Sequence, residues 1–273
     1  MTSRIAIVTG GASGIGRAIA TALAARGDTV TVADIDADGA KKVADRLSAH
    51  AKVAAAALDV TDADAVAALY RSVREEHGRL DLVFNNAGIA VGGLTEELTL
   101  DHWNRTIDVN LRGVVHGVHA AYPIMLEQGH GHIVNTASMA GLVPAPLMLP
   151  YTATKHAVVG MSLALRAEAA SRGVRVSVIC PGFVDTPLLD NANPDLPETE
   201  AAKNARQAAQ RVQRRLYTAP ELARDVLRGV DRNDPLIVAP ASSRAAWLAA
   251  RLWPRGAVRV AGLSVRRMRG FAR

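Results

Sequence analysis

A tyrosine and a lysine stand four residues apart in Tyr151-Thr-Ala-Thr-Lys155. On a helix that spacing puts both side chains on one face, so the ammonium can hold the phenol near ionisation. A phenol tuned in this way is a general acid or base. An ordinary tyrosine ionises near pH 10, and bringing that down by roughly 3 pH units takes about 4 kcal/mol of preferential phenolate stabilisation. One ammonium in a partly buried site, together with a second positive charge beside it, is of that size. Ser138 lies thirteen residues before Tyr151, in the loop after an apolar run, where its hydroxyl can hydrogen-bond a substrate oxygen as charge develops. The chemistry expected of the three is removal of an alcohol proton by Tyr151 as hydride leaves, or the reverse with the phenol as acid.

Hydride needs an acceptor, and the N-terminal segment offers a place for one. Thr9-Gly10-Gly11-Ala12-Ser13-Gly14-Ile15-Gly16 joins a short apolar run to a helical one. There Gly10 permits the tight turn, Gly14 removes bulk where backbone meets a pyrophosphate, and Gly16 lets helix and sheet approach; Ser13 and Ile15 ride in the same turn. The helix N-terminus adds positive potential. Asp34, eighteen residues after Gly16, ends the next strand, where a carboxylate can accept both ribose hydroxyls of NAD and repels the 2′-phosphate of NADP. Neither Ser13 nor Ile35 is basic, and Arg17 reads as helix surface, so NAD is the expected cofactor. Asp59-Val60 closes the third strand, where a side chain can bond the adenine. Asn85-Asn86-Ala87-Gly88 closes the fourth, polar and small where backbone passes close to a cofactor.

Apolar runs alternate with helical stretches along the chain. Strands are expected at Ile5–Thr9, Thr29–Asp34, Val53–Asp59, Leu80–Asn85, His132–Thr136, Val174–Cys180 and Leu236–Val238. Helices are expected over Ile15–Arg26, to about Ala49, over Asp62–His77, Asp101–Glu127, Tyr151–Ser171 and Pro220–Arg232. Near-continuous apolar strands between helices indicate an α/β fold: a doubly wound, Rossmann-like parallel sheet of about seven strands, in one domain over residues 1–240. Residues 183–216 interrupt the rhythm after a strand's carboxyl end and read as a substrate lid. Met139 to Pro150 is uncharged and mostly apolar, and lies between Ser138 and Tyr151. With Phe183, Val184, Leu188 and Leu189 facing it from the lid, it favours a hydrophobic alcohol or ketone; the plainer alternative is that Leu142, Val143 and Leu147–Leu149 pack the loop onto the core.

The net charge is +6, but residues 241–273 hold eight arginines and no acid, so the preceding 240 residues stand at −2. That argues against nucleic-acid binding by the main domain. The tail interleaves its arginines with Trp247, Leu248, Leu252, Trp253, Val258, Val260, Leu263, Met268 and Phe271, as an interfacial membrane segment does; packing on a subunit or on the domain, or disorder, are the alternatives. One cysteine, Cys180, excludes a disulfide framework and a cysteine-based zinc site; it reads as a small buried apolar residue. The eight histidines show no metal spacing. With no N-terminal signal, a cytoplasmic protein is expected, with membrane association through the tail as an option.

These motifs, in this order and spacing, resemble the short-chain dehydrogenase/reductase family over about residues 4–240. The resemblance implies that Pro181-Gly182 followed by Thr186 turns over the nicotinamide, with the threonine meeting its carboxamide. It implies that Asn110 holds a water linking Lys155 to solvent; bracing the long helix is the simpler role. It also implies a homotetramer or homodimer packed through the helices at 101–127 and 151–171. Two other functions remain open: reduction of a 3-oxoacyl thioester, and a dinucleotide-binding scaffold docked by its tail.

Overall fold

The computed structural model describes residues 3–49, 51–190, 193, 195–213 and 215–269. Seven parallel strands form one sheet: β1 (Ile5–Thr9), β2 (Thr29–Asp34), β3 (Val53–Ala57), β4 (Leu82–Asn85), β5 (Gly131–Thr136), β6 (Val174–Pro181) and β9 (Leu236–Ala239). Their spatial order is β3-β2-β1-β4-β5-β6-β9. The chain first winds one way from β1 and then the other, so a crevice opens above the carboxyl ends of β1 and β4. The intervening helices are α1 (Gly14–Ala25), α2 (Ala37–Leu47), α3 (Ala63–His77), α4 (Leu100–Ile107), α5 (Gly113–Gln128), α6 (Leu149–Ala169) and α9 (Ala219–Asp231).

All five residues of β1 are buried, as a central parallel strand requires. Strand alternation divides the core. Ala6, Val8, Leu82 and Phe84 face α1 and α9, meeting Ile19, Leu23, Leu222 and Val226. Ile5, Ile7, Val83 and Ile133 face α3 and α5, meeting Tyr70, Val73, Ala121 and Met125. Helix ends carry local stops and starts. Asp36 accepts from Gly39 N at 2.9 Å and Asp62 from Ala65 N at 3.0 Å. Thr218 and Glu221 form a capping box on α9, and Gly78 ends α3 with φ 74°.

The expected single helix over Asp101–Glu127 is two helices joined by a π-turn at Asp108–Arg112. Thr106 and Asn110 are fully buried there. Residues 183–216 are not one loop. β7 (Val184–Asp185) pairs in parallel with β8 (Tyr217–Thr218), and α7 (Glu200–Lys203) and α8 (Ala205–Val212) lie between. Beyond β9 the tail forms α10 (Ala241–Leu252) and α11 (Pro254–Arg269); the residues after Arg269 lie outside the described ones. No helix among the described residues is long and apolar enough to cross a membrane.

At the opposite end of the sheet His132 is buried between β5 and β6. Its Nε2 lies 2.8 Å from Ser177 Oγ, and that hydroxyl donates to Asp234 O at 2.6 Å. Ser177 therefore accepts from Nε2–H, and the ring is neutral. Burial, then Arg175, Arg166 and Arg4, push its pKa down to about 3. A folded pKa below the ordinary value of about 6.5 gives stability that is complete above pH 6.5 and lost as pH falls toward 3. Thermal denaturation from pH 7 to 4 should show a shallower acid loss in His132→Asn than in the unchanged protein; equal slopes would remove His132 as a cause.

Candidate active site

α6 begins at Leu149 with Pro150 in its first turn, a start compatible with proline's missing N–H. Tyr151 follows at once, with Lys155 one turn on. Lys155 is buried; its Nζ donates to Thr136 O at 2.9 Å and stands 5.5 Å from the centroid of the Tyr151 ring. Ser138 follows the carboxyl end of β5, where its hydroxyl pulls the Tyr151 phenol's pKa down. Its Oγ also accepts from Ala140 N at 3.1 Å, capping the short 3-10 turn Met139–Gly141. Burial pushes the Cys180 thiol, at the end of β6, up to about 12 against the pull of the Ser138 backbone and Lys155, so it stays protonated.

The electrostatics of the site differ from the expected pattern. Burial pushes the Tyr151 phenol above its ordinary pKa; the Ser138 bond pulls it down and Cys180 pushes it up. Burial lowers Lys155 to about 8. Lys155 is thus buried rather than partly buried as expected, and burial disfavours the charged form of each group.

The glycine turn closes the crevice from the other side. Gly10 has φ +65°, and a Cβ there would lie 2.8 Å from Ala87 Cα. Thr9 Oγ1 accepts from Asn86 N at 3.0 Å and Ala87 N at 3.1 Å, while Asn86 Nδ2 donates to Thr9 O at 3.0 Å. Thr136 Oγ1 donates to Asn86 Oδ1 at 3.3 Å. Asn86 and Ala87 are thus clamped to β1 and β5. Gly14 has φ +50°, and a Cβ would lie 3.2 Å from Thr186 Cγ2, so the chain after β6 closes over the turn. Gly16 lies against Gly10 O with no room for a side chain, and Ile15 packs on the core. Pro181 ends β6, and Gly182 N donates to Ala239 O at 2.8 Å.

These residues fit a dinucleotide. Ser13 makes no side-chain cap bond, so the first turn of α1 meets the crevice with backbone N–H groups and no capping oxygen. Asp34 Oδ2 accepts from Ala12 N at 2.9 Å and Oδ1 from Asp36 N at 3.0 Å, which fixes the carboxylate and leaves each oxygen a further lone pair. Ile35 beside it is 64% exposed and uncharged, so no cation awaits a 2′-phosphate there. Asp59 Oδ1 accepts from Thr61 N and Oγ1 at 2.9 and 2.8 Å. Val60 is buried against Gly113, and its carbonyl pairs with His116 Nδ1 at 2.9 Å, so its side chain serves the core. Asn110 braces the loop after β4: Oδ1 accepts from Ile89 N at 2.8 Å and Nδ2 donates to Ile89 O at 2.9 Å. Gly88 sits between Asn110 and Lys155, where a Cβ would be 3.0 Å from Asn110 Oδ1 and 3.5 Å from Lys155 Nζ.

The substrate wall is narrower than expected. Val184 is buried in the core beside α9 and does not face the 139–150 segment. Met139 and Leu142 pack against the cluster holding Val159 and Cys180. Val143, Leu147, Met148, Phe183 and Leu189 remain half-buried, and Leu149 and Leu188 exposed. Leu147 has φ 64°, a left-handed conformation that costs a leucine about 1 kcal/mol or more. Its carbonyl accepts from Gly93 N at 2.8 Å, tying this segment to the loop after β4. The 183–216 segment ties to the same loop: Asn193 Nδ2 donates to Ala90 O at 2.8 Å, Thr199 Oγ1 to Gly92 O, and Pro197 O lies 2.9 Å from His102 Nε2. Arg206 pins its start through Asp185 at 2.6 Å and Asp190 at 2.5 Å. Thr136 and His102 were not singled out in the sequence, because a carbonyl acceptor and a helix-capping histidine have no motif, and Leu147 was named only for packing, since nothing in the sequence marks a left-handed leucine.

The family model for short chain dehydrogenase matches residues 4–197. Over 190 residues the chain is 40% identical to cyclohexanol dehydrogenase of Acinetobacter sp. (strain SE19), covering 68% of this chain and 75% of that protein. It is 36% identical over 227 residues to levodione reductase of Leifsonia aquatica, covering 81% and 85%. Among solved structures, a short chain dehydrogenase/reductase from Burkholderia phymatum in complex with NAD superposes with a TM-score of 0.84 at 32% identity, covering 94% of this chain and 95% of that one.

Proposed function

Because the chain belongs to the short-chain dehydrogenase/reductase family, we propose that it interconverts an apolar secondary alcohol and its ketone, with Tyr151 moving the proton. It is an NAD-dependent oxidoreductase acting on CH–OH groups. The observation that carries the reading is the cluster of Tyr151, Ser138 and buried Lys155 at the carboxyl ends of β5 and β6, beside a crevice whose glycines and Asp34 fit NAD.

Bound NAD supplies the hydride acceptor, and its positive ring raises the tendency of nearby acids to ionise. The chain does the rest. Ser138 Oγ holds the substrate oxygen and Tyr151 Oη takes its proton; in reduction the phenol returns it. Lys155 Nζ, anchored by Thr136 O, is placed to hold a ribose hydroxyl and to stabilise the phenolate. Gly10, Ser13, Gly14, Ile15 and Gly16 cradle the pyrophosphate. Asp34 takes the ribose hydroxyls, and Asp59 and Val60 border the adenine. Asn86, Ala87 and Gly88 line the floor, while Pro181, Gly182 and Thr186 cover the nicotinamide. Asn110 keeps the floor loop against Lys155. Residues 183–216 act as the lid, clipped to the loop after β4 by Asn193 and Thr199 and to His102 of α4 by Pro197.

The names of the two relatives, for cyclohexanol and levodione, support a cyclic apolar substrate. Val115 on α5 and Leu149 and Leu163 on α6 are exposed and apolar, which supports a dimer or tetramer through these helices. The test is NAD⁺ reduction with purified protein and a panel of cyclic secondary alcohols, polyols and sugars, with 3-oxoacyl thioesters assayed in reverse. Cyclic apolar alcohols should turn over fastest. Faster turnover of polyols would sink the apolar assignment, and faster thioester reduction would replace it with the lipid-metabolism role.

A further inference from the structure

α10 is apolar on two opposite faces. One face is covered: Ser243 is buried beside Gly182, and Trp247 packs on the cluster containing Val238 and Cys180. The other reads Ala241, Ala245, Leu248, Leu252, spaced as one helical stripe, and all four are exposed, Leu252 to 85%. Trp253 follows at the corner into α11, 63% exposed, and α11 adds exposed Val258 and Leu263. Exposed Arg244 and Arg251 border the stripe on one side, and exposed Arg255 and Arg259 follow on α11. The whole segment from 241 holds eight arginines and no acid.

A helix that buries one face against a sheet edge needs only a polar outer face. This outer face is leucine, tryptophan and alanine with a cationic border. We propose that α10 and α11 lie flat on an anionic lipid bilayer, the leucine stripe and Trp253 entering the acyl boundary and the arginines meeting lipid phosphates. Charge selects this occupant over a second copy. A two-fold interface would set this face against itself, arginines against arginines with no acid in the segment to answer them. An anionic surface answers them all. Docking would also bring the turn after β6 near the bilayer, because α10 starts beside Gly182.

The experiment is flotation of the full chain with vesicles of phosphatidylcholine alone or mixed equally with phosphatidylglycerol. The chain should float with the mixed vesicles only, and less as salt shortens the Debye length from about 10 Å at 0.1 M to about 3 Å at 1 M. Leu252→Glu should weaken partitioning roughly tenfold, and Arg255→Ser with Arg259→Ser should weaken it and flatten its salt dependence. NAD⁺-linked turnover of a water-soluble alcohol should stay unchanged in both, which shows that the fold is intact. Absence of flotation with either vesicle overturns the proposal, as does flotation indifferent to Leu252→Glu. A drop in light-scattering mass in Leu252→Glu, without vesicle binding by the unchanged chain, overturns it in favour of a second copy.

Discussion

Tyr151→Phe loses turnover by roughly 10²–10⁴-fold while NAD⁺ binds as before. The substitution removes one oxygen from a side chain at the head of α6 and leaves its ring in place beside Lys155. Nothing in the glycine turn, Asp34 or the Asn86 clamp touches that oxygen, so fluorescence titration with NADH should give an unchanged Kd. The loss should fall on kcat, because the proton moves only as hydride leaves. Turnover surviving the change would hand the base role to another group. A cellular role surviving it, with turnover gone, would support the scaffold function instead.

Lys155→Gln has the second large effect, and its signature is in the pH profile. In the free chain the lysine loses its charge near pH 8, while burial keeps the phenol above its ordinary value. The phenolate and the ammonium therefore stabilise each other or do not form. With the 5.5 Å from Nζ to the ring centre taken as the separation and an effective dielectric of 20, one charge is worth ~3 kcal/mol, or about 2 pH units on its neighbour. Alcohol oxidation needs the phenolate and rises with pH through the apparent pKa of the pair. In Lys155→Gln that rise should move to higher pH by about that amount, with KM for NAD⁺ also raised. A glutamine can still donate to Thr136 O, so loss of the anchor does not confound the result. A profile that keeps its midpoint would show that Lys155 only binds cofactor.

Most of the sheet was legible because each central strand is an unbroken apolar run between helical segments. The glycine turn and the polar Asn85–Gly88 stretch, both read from the sequence, lie after the carboxyl ends of neighbouring strands, β1 and β4. The π-turn at Asp108–Arg112 was not legible, since no glycine or proline marks it and its residues read as ordinary helix. Pro123, the residue that does signal a break, lies within an intact α5. β7 and β8 have two residues each, too short for any alternation to register. Val184 read as a lid residue because position in the chain does not reveal that β7 turns it inward. For Tyr151 and Lys155 the spacing disclosed a shared helix face but not depth, and depth sets both pKa values.

The most direct measurement is the initial rate of NAD⁺ and of NADP⁺ reduction by the unchanged protein with cyclohexanol, at matched cofactor concentrations. A dehydrogenase that seats ribose on Asp34, with uncharged Ile35 beside it, should reduce NAD⁺ and leave NADP⁺ nearly untouched. Turnover with NADP⁺ equal to or faster than with NAD⁺ would contradict the role of Asp34. No turnover with either, for any apolar secondary alcohol, would contradict the account of Tyr151, Ser138 and Lys155 as the machinery of alcohol oxidation.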